Sequence, residues 1–331
     1  MAHSPPAEHA ASEVRLHERL EATLAGAIGG DARIVTVRRR PNRFSTLSPT
    51  EVLEIELSSG ETMAVFVKRL GEAQASHPDK RRRDREPLLY ERLLAPTELP
   101  VPRWLGIGRD AASGNAELYL EYLDGLDLRY RGLEHWYQAA GRLADLHRHF
   151  ADSTHALHAS DVLLALDARY YEAWAERAVA ELAKTYPNAA GRLAKLVERL
   201  EPATELLVAQ PATLVHNDLS PKNVVSVTGP GSPRVAFVDW ELAGVGCGAS
   251  DLVHLAYGLD AKAHRRLCDA YWERLEGSRL ALGGAGERAS LLAACKLHKA
   301  LYRLAHASAL GSDEGTVAAW VEEVASCRSH V

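Results

Sequence analysis

Thr213-Leu-Val-His-Asn-Asp-Leu-Ser-Pro-Lys-Asn-Val-Val-Ser-Val227, a loop carrying Gly229, Pro230, Gly231 and Pro233, and then Arg234-Val-Ala-Phe-Val-Asp239-Trp240-Glu241 form the chemically densest stretch of this chain. The β-branched runs Val224–Val227 and Val235–Val238 flank a seven-residue, turn-rich connection, a hairpin pattern. Pairing Val227 with Val235 predicts a ladder that sets Asn223 opposite Asp239. Asp218 lies five residues before Asn223, across a tight Pro-containing loop. Two carboxylates and an amide oxygen then converge at one end of a small ribbon. Such hard oxygen donors suit Mg2+, which completes its shell with water and substrate phosphates.

Upstream, Val14, Leu16, Leu20, Leu24 and Ile28 recur at helical spacing, with Gly29-Gly30 as the stop. Strands are expected at Ile34–Val37, Glu51–Leu57 and Thr62–Lys68, the last two joined by Ser58-Ser59-Gly60. A helix over Asp79–Leu94 and a strand over Leu118–Tyr122 follow. Beyond Trp136 the pattern is mainly helical, at Tyr137–His149, Ala165–Lys184, Ala189–Leu200, Ala261–Leu275, Arg288–His306 and Thr316–Ser326. Strands that cluster first and helices that cluster later define an α+β class rather than an alternating α/β one.

The 331 residues exceed one ordinary core, so two lobes are expected. Apolar residues at 47% and charged residues at 25% exclude a disordered or fibrous chain. A net charge of −5 argues against nucleic-acid binding through a global positive field. No apolar run reaches bilayer length, and Met1–Ser12 has no apolar core of a secretory signal. The widely spaced Cys247, Cys268, Cys295 and Cys327 contain no C-x-x-C pair, which fits a reducing cytoplasm.

His216-x-Asp218-x4-Asn223, followed by an apolar strand and Asp239-Trp240-Glu241, resembles the aminoglycoside phosphotransferase and choline kinase-like family. Val67-Lys68, Arg85-Glu86-Pro-Leu-Leu-Tyr90, Glu121-Tyr-Leu-Asp-Gly125, Leu143-Ala-Asp-Leu-His147 and Ala249-Ser-Asp251-Leu252 extend the resemblance along the chain. It implies a bilobal, protein-kinase-like fold: a nucleotide-binding lobe over 1–120, a hinge over 121–127, and a catalytic and acceptor lobe over 128–331. The acceptor lobe would carry a helical insertion at about 151–210. It further implies a small-molecule kinase that uses ATP or GTP with Mg2+ on a hydroxyl acceptor, with no nucleic-acid or membrane partner. Asp218 would orient the acceptor hydroxyl and take its proton; Asn223 and Asp239, with Glu241 as a lesser candidate, would hold the metal. Lys68, oriented by Glu86 with Glu91 as its rival, would meet the α- and β-phosphates, and amides near Ser45 and Thr46 would cap them. Glu121 and Leu123 stand where the hinge meets the nucleotide. Asp251 is expected to brace the catalytic loop.

Two positions depart from the family pattern. Asn217 and Lys222 stand where glycine is common; Asn tolerates φ > 0 best among the other residues. Lys222 either meets a transferring phosphate or points to solvent. The segment 38–49 lacks the glycines of a usual phosphate loop. Lys80-Arg-Arg-Arg83-Asp-Arg85 reads as a solvated helix face, and Gly106-x-Gly108 lacks the third glycine of a dinucleotide fingerprint. Tyr170, Tyr171, Trp174 and Tyr186 lie in the insertion and read mainly as packing, with one or two at the acceptor. That insertion holds six basic and nine acidic residues, too thin a negative charge to single out a polycationic aminoglycoside. A neutral natural product, sugar or metabolic alcohol fits as well. A non-catalytic pseudokinase is the alternative. A protein kinase is a third reading and ranks well behind, because no recognisable Gly-rich loop, Asp-Phe-Gly or Ala-Pro-Glu segment is present.

Overall fold

The computed structural model describes residues 6–28, 33–42, 50–71, 77–95, 98–109, 114–229 and 233–331. The chain divides into two compact units, Met1–Gly125 and Leu126–Val331.

In the first unit, helix α1 (Pro6–Ile28) precedes strands β1 (Ile34–Pro41), β2 (Thr50–Leu57) and β3 (Thr62–Arg69). Helix α2 (Arg85–Leu89), β4 (Trp104–Arg109) and β5 (Ala116–Glu121) complete it. The strands form one antiparallel sheet in the order β1-β2-β3-β5-β4. Alternation decides its faces. Leu53, Ile55, Leu57, Val65, Val67 and Tyr119 pack on Leu20 and Leu24 of α1. On the same face Glu117 is buried and bonds Arg69 at 3.0 Å and the Tyr119 hydroxyl at 2.7 Å. Burial opposes ionisation of Glu51, yet Arg39 and Arg69 beside it hold its carboxyl below the ordinary value.

Two elements differ from expectation. The helix expected over 79–94 is a 3-10 turn at Pro78–Lys80, then α2, then a π turn at Tyr90–Leu94. Pro87 offers no N–H, so the helix is regular only where Pro87 sits in its first turn. The basic run therefore lies ahead of the helix except for Arg85, its buried first residue, and is tied down locally, Arg83 to the Gly71 carbonyl and Arg85 to the Asp79 carbonyl. Strand β4 was hidden by its two glycines, which lower strand propensity. Both are needed for space: a Cβ on Gly106 would lie 2.4 Å from the Thr23 carbonyl oxygen of α1, and one on Gly108 would lie 2.9 Å from the Tyr119 ring.

The second unit runs β6 (Leu126–Asp127), α3 (Leu133–Asp152), α4 (Thr154–His158), β7 (Leu164–Ala165), α5 (Ala168–Thr185), α6 (Pro187–Val197) and α7 (Glu201–Val208). It continues with β8 (Thr213–Val215), β9 (Val224–Val227), β10 (Arg234–Phe237), β11 (Gly244–Gly246), α8 (Ala249–Leu255), α9 (Ala261–Leu275), α10 (Ala285–Leu304) and α11 (Glu314–Arg328). Two small sheets, β10-β9-β6 and β7-β11-β8, sit among these helices. Helix α3 packs on α9, and α10 packs on α5, α8 and α11.

The hairpin exists, but its register is one residue from the expected one. Arg234 pairs with Val227 and Phe237 with Val224, and the Val238 amide donates to the Asn223 carbonyl at 3.0 Å. Asn223 therefore faces Val238 rather than Asp239. On β9, Ser226, paired with Val235, is buried with its hydroxyl 2.8 Å from His135 Nδ1, and on β10 the extra rung is supplied by exposed Arg234. No helix among the described residues is long and apolar enough to cross a membrane. Gly106→Ala should destabilise the first unit by about 1–3 kcal/mol, the usual cost of overpacking, and lower its melting temperature. An unchanged melt would show that α1 does not press on β4.

Candidate active site

Lys68 lies on β3 beside Val67, whose side chain enters the α1 core, so the lysine faces the opposite side of the sheet. There its Nζ donates to Glu86 Oε2 at 2.6 Å, with both residues buried. Glu91 is exposed, which resolves the rivalry in favour of Glu86. Removing either member would leave a buried charge uncompensated. Glu121 ends β5, where its amide and carboxylate bond the Arg103 backbone. Leu123 is half-buried and its carbonyl accepts from Gly125 N. Ser45 and Thr46 lie outside the described residues.

In the second unit, β8 delivers the chain into the His216–Asp218 loop. The buried Asp251 carboxylate, on α8, accepts from the His216 amide at 2.7 Å and from the Asn217 amide at 2.9 Å. His147 Nε2 lies 3.3 Å from the same carboxylate, and His147 Nδ1 lies 2.8 Å from the Tyr271 hydroxyl. Held from below, Asn217 takes φ of 65°, the left-handed conformation that its glycine-like position anticipated. The His216 ring spans the site: Nδ1 accepts from Asp218 N at 3.4 Å, which leaves Nε2 to donate to the Val238 carbonyl at 2.9 Å. Trp240, fully buried, covers this ring at a centroid distance of 4.5 Å.

Asp218 is half-buried. Asn223 Nδ2 donates to its carbonyl at 2.8 Å and to Oδ2 at 3.1 Å. With its nitrogen so engaged, the Asn223 amide leaves its oxygen as the atom for a cation. Asp239 follows the end of the ladder at φ of 69°. Glu241 is half-buried in the turn before β11. No cluster of three or more His, Cys, Asp or Glu able to hold a metal occurs among the described residues. An amide oxygen and a carboxylate nonetheless fit Mg2+, which needs few protein ligands when phosphates supply the rest. Lys222 is exposed, yet its Nζ lies 3.7 Å from Asp218 Oδ2, so it both meets solvent and shields the carboxylate.

One residue that sequence reasoning assigned mainly to packing reaches the loop: the Tyr170 hydroxyl, on α5, accepts from Asn217 Nδ2 at 3.0 Å. From Tyr170 an aromatic row continues. The His298 ring lies 5.6 Å from Tyr170 and 4.7 Å from Tyr171, and Trp174 lies 4.4 Å from Tyr302. Tyr186 is apart from this row; its hydroxyl bonds the Ser312 carbonyl. Lys299 was not singled out from the sequence, because a lysine on a long helix carries no signal. Its Nζ donates to the Val253 carbonyl at 3.3 Å and lies 4.8 Å from the Tyr257 ring centre.

Asp251→Asn should lose one of the two buried bonds to the loop and cost about 1–3 kcal/mol, read as a fall in melting temperature. A second prediction concerns acid. Burial pushes the His298 imidazole down to about 4 from an ordinary 6.5. Unfolded chains take up its proton below 6.5 while the folded protein does not, so stability is lost as pH falls from about 6.5 toward 4. The loss reaches about 3 kcal/mol at the acid end. Melting temperatures across this range should fall less steeply in His298→Gln; parallel curves would refute the assignment.

Residues 59–291 match the family model described as the phosphotransferase enzyme family. No curated protein sequence matches the chain significantly. Among solved structures, a microcompartment-associated aminopropanol kinase matches with a TM-score of 0.58 at 13% identity, covering 95% of both chains. Choline kinase from Cryptosporidium parvum matches at 0.56 and 12% identity, over 96% of this chain and 94% of the other. A GDP complex of an aminoglycoside 2'-phosphotransferase-IIIa variant matches at 0.57 and 13% identity, over 92% and 95%. These likenesses bear on the protein-kinase-like fold, and the family match, which spans well over half of the sequence and includes both Lys68 and the His216–Asp239 stretch, carries the rest: this chain belongs to the phosphotransferase enzyme family.

Proposed function

We propose that the chain transfers the γ-phosphate of ATP or GTP to a hydroxyl of a small molecule, with Mg2+ bound alongside the nucleotide. The observation that carries this reading is the half-buried Asp218 carboxylate, on a loop pinned through two amides by Asp251 and joined to the Asn223 amide. Phosphoryl transfer asks a protein mainly for positioning and charge neutralisation. Asp218 orients the acceptor hydroxyl and takes up its proton. Asn223 and Asp239 hold the metal, with Glu241 beside them. When bound, the metal neutralises charge on the nucleotide's phosphate oxygens.

Lys68, kept in place by Glu86, contacts the α- and β-phosphates, and the 121–127 segment, through Glu121 and Leu123, meets the rest of the nucleotide. The GDP bound by one structural neighbour supports a nucleotide co-substrate. In this reading 1–120 is the nucleotide part, and 128–331 holds the catalytic loop and the acceptor, with 151–210 as its insertion. The four unpaired cysteines support a reducing compartment.

Asp218→Asn keeps the size of the side chain and removes its basicity. Transfer should fall by about a hundredfold to ten-thousandfold, the span that a positioned base contributes. Binding of Mg-nucleotide, read by thermal shift, should be nearly unchanged. Full turnover by this variant would sink the role of Asp218. Absence of any Mg-nucleotide shift in the unaltered protein would favour a non-catalytic pseudokinase.

A further inference from the structure

Asn217 leads directly into Asp218, so its backbone torsions aim the carboxylate proposed as the base. Glycine takes a φ of 65° without strain, whereas asparagine takes it at a small cost and brings a side chain. That side chain is used. Its Nδ2 donates to the Tyr170 hydroxyl at 3.0 Å, while the backbone amide of the same residue donates to Asp251 Oδ1 at 2.9 Å. Asn217 is thus gripped by two helices, by α5 through its side chain and by α8 through its backbone.

Tyr170 is itself held in place. It lies in the first turn of α5, where its amide donates to the capping Asp167 carboxylate at 2.9 Å. The chain enters that turn from β7, and the Leu166 amide donates to the Val245 carbonyl of β11 at 3.0 Å. Strand β11 also pairs with β8, which leads into the loop, so one small sheet roots both partners of the Tyr170–Asn217 bond. The root is tightly packed: a Cβ on Gly246 would lie 2.7 Å from Leu166 Cβ. Around the phenol ring, His298 of α10 lies at 5.6 Å and Trp174 at 6.5 Å between ring centres.

We propose that Tyr170 is a positioning residue for phosphoryl transfer: through its bond to Asn217 it sets the direction in which Asp218 presents its carboxylate to the acceptor hydroxyl. This rests on the phosphotransferase reading of Asp218. The physical reason is leverage. A turn of about 10° about the N–Cα bond of Asn217 carries the end of the next side chain through roughly 1 Å. An error of that size takes a base out of hydrogen-bond reach of the proton it abstracts. Asp251 fixes the backbone on the near side of that torsion, and Asn223 holds the Asp218 carboxylate on the far side at 3.1 Å. Tyr170 fixes the residue between them, and the proton still passes to Asp218.

The test is a cycle of Tyr170→Phe, Asn217→Gly and the double variant in the full chain. Mg-ATP and Mg-GTP are supplied with glycerol, choline, kanamycin or erythromycin, and phosphate gain is read by mass. If none is phosphorylated, phosphate release to water gives the rate. Tyr170→Phe keeps the ring and removes the bond, so kcat should fall about three- to tenfold, the rate equivalent of one neutral hydrogen bond, at unchanged nucleotide KM. Asn217→Gly removes the same bond from the loop side and leaves α5 intact; kcat should fall by a similar factor. The double variant should fall no further than the slower single one, as for two residues that act through one bond. Melting curves verify that each variant is folded at the assay temperature. An unchanged kcat in either single variant, a change confined to KM, or losses that multiply in the double variant overturn the positioning role and leave phosphotransfer standing. Transfer to neither alcohol nor water, with Mg-nucleotide still raising the melting temperature, leaves Tyr170 no step to position and overturns it as well. Transfer to nothing with no nucleotide stabilisation removes the phosphotransferase reading and this inference together.

Discussion

The two bonds from the Asp251 carboxylate to the His216 and Asn217 amides hold the geometry on which the candidate site depends. A loop that turns through φ of 65° at a non-glycine residue needs its backbone satisfied from outside, because it cannot pair with a neighbouring strand. Asp251 supplies both acceptors from a fully buried position, with His147 and Tyr271 fixing its orientation. With the loop so held, the His216 ring joins it to the end of β10, and Asp218 is presented half-exposed beside Asn223. A charged carboxylate is costly to bury, and here two amide donors and an imidazole offset that cost.

The first unit uses buried charge twice, on opposite faces of its sheet. The Lys68–Glu86 pair is a close contact between one strand and α2, isolated from solvent, and so places one ammonium with little freedom. On the α1 side, Glu51 and Glu117 are shared among Arg39, Arg69 and Arg19. Such arrangements add little net stability over apolar packing, but they make misregister of the strands expensive, since any slip leaves charges unpaired.

The legible parts of the sequence were those carried by local periodicity and by residue chemistry. β-Branched runs marked β2, β3 and the β9–β10 hairpin, and apolar spacing marked the long helices. The order His216, Asp218, Asn223, Asp239 indicated the chemistry. Illegible parts depended on neighbours distant in the chain. The hairpin register lies one residue from the expected one, and its strand β9 meets α3 through Ser226 and His135, some ninety positions apart. Strand β4 was concealed by glycines whose purpose is to admit α1. Pro87 confined α2 to a short helix, a local signal that apolar spacing overrode. Lys299 resembles any helical lysine until the end of α8 brings the Val253 carbonyl and the Tyr257 ring to it.

By itself the sequence determined the fold class, the family and the set of chemical groups, because these follow from patterning and from residue types that only a few reactions need. Tertiary structure alone decided which carboxylate Lys68 meets, which residue stands opposite Asn223 at the end of the hairpin, and that the Tyr170 hydroxyl reaches the catalytic loop. Those choices arise from burial: a charge withdrawn from water takes whichever partner the packing brings within a few ångströms, and no local pattern in the chain records that partner.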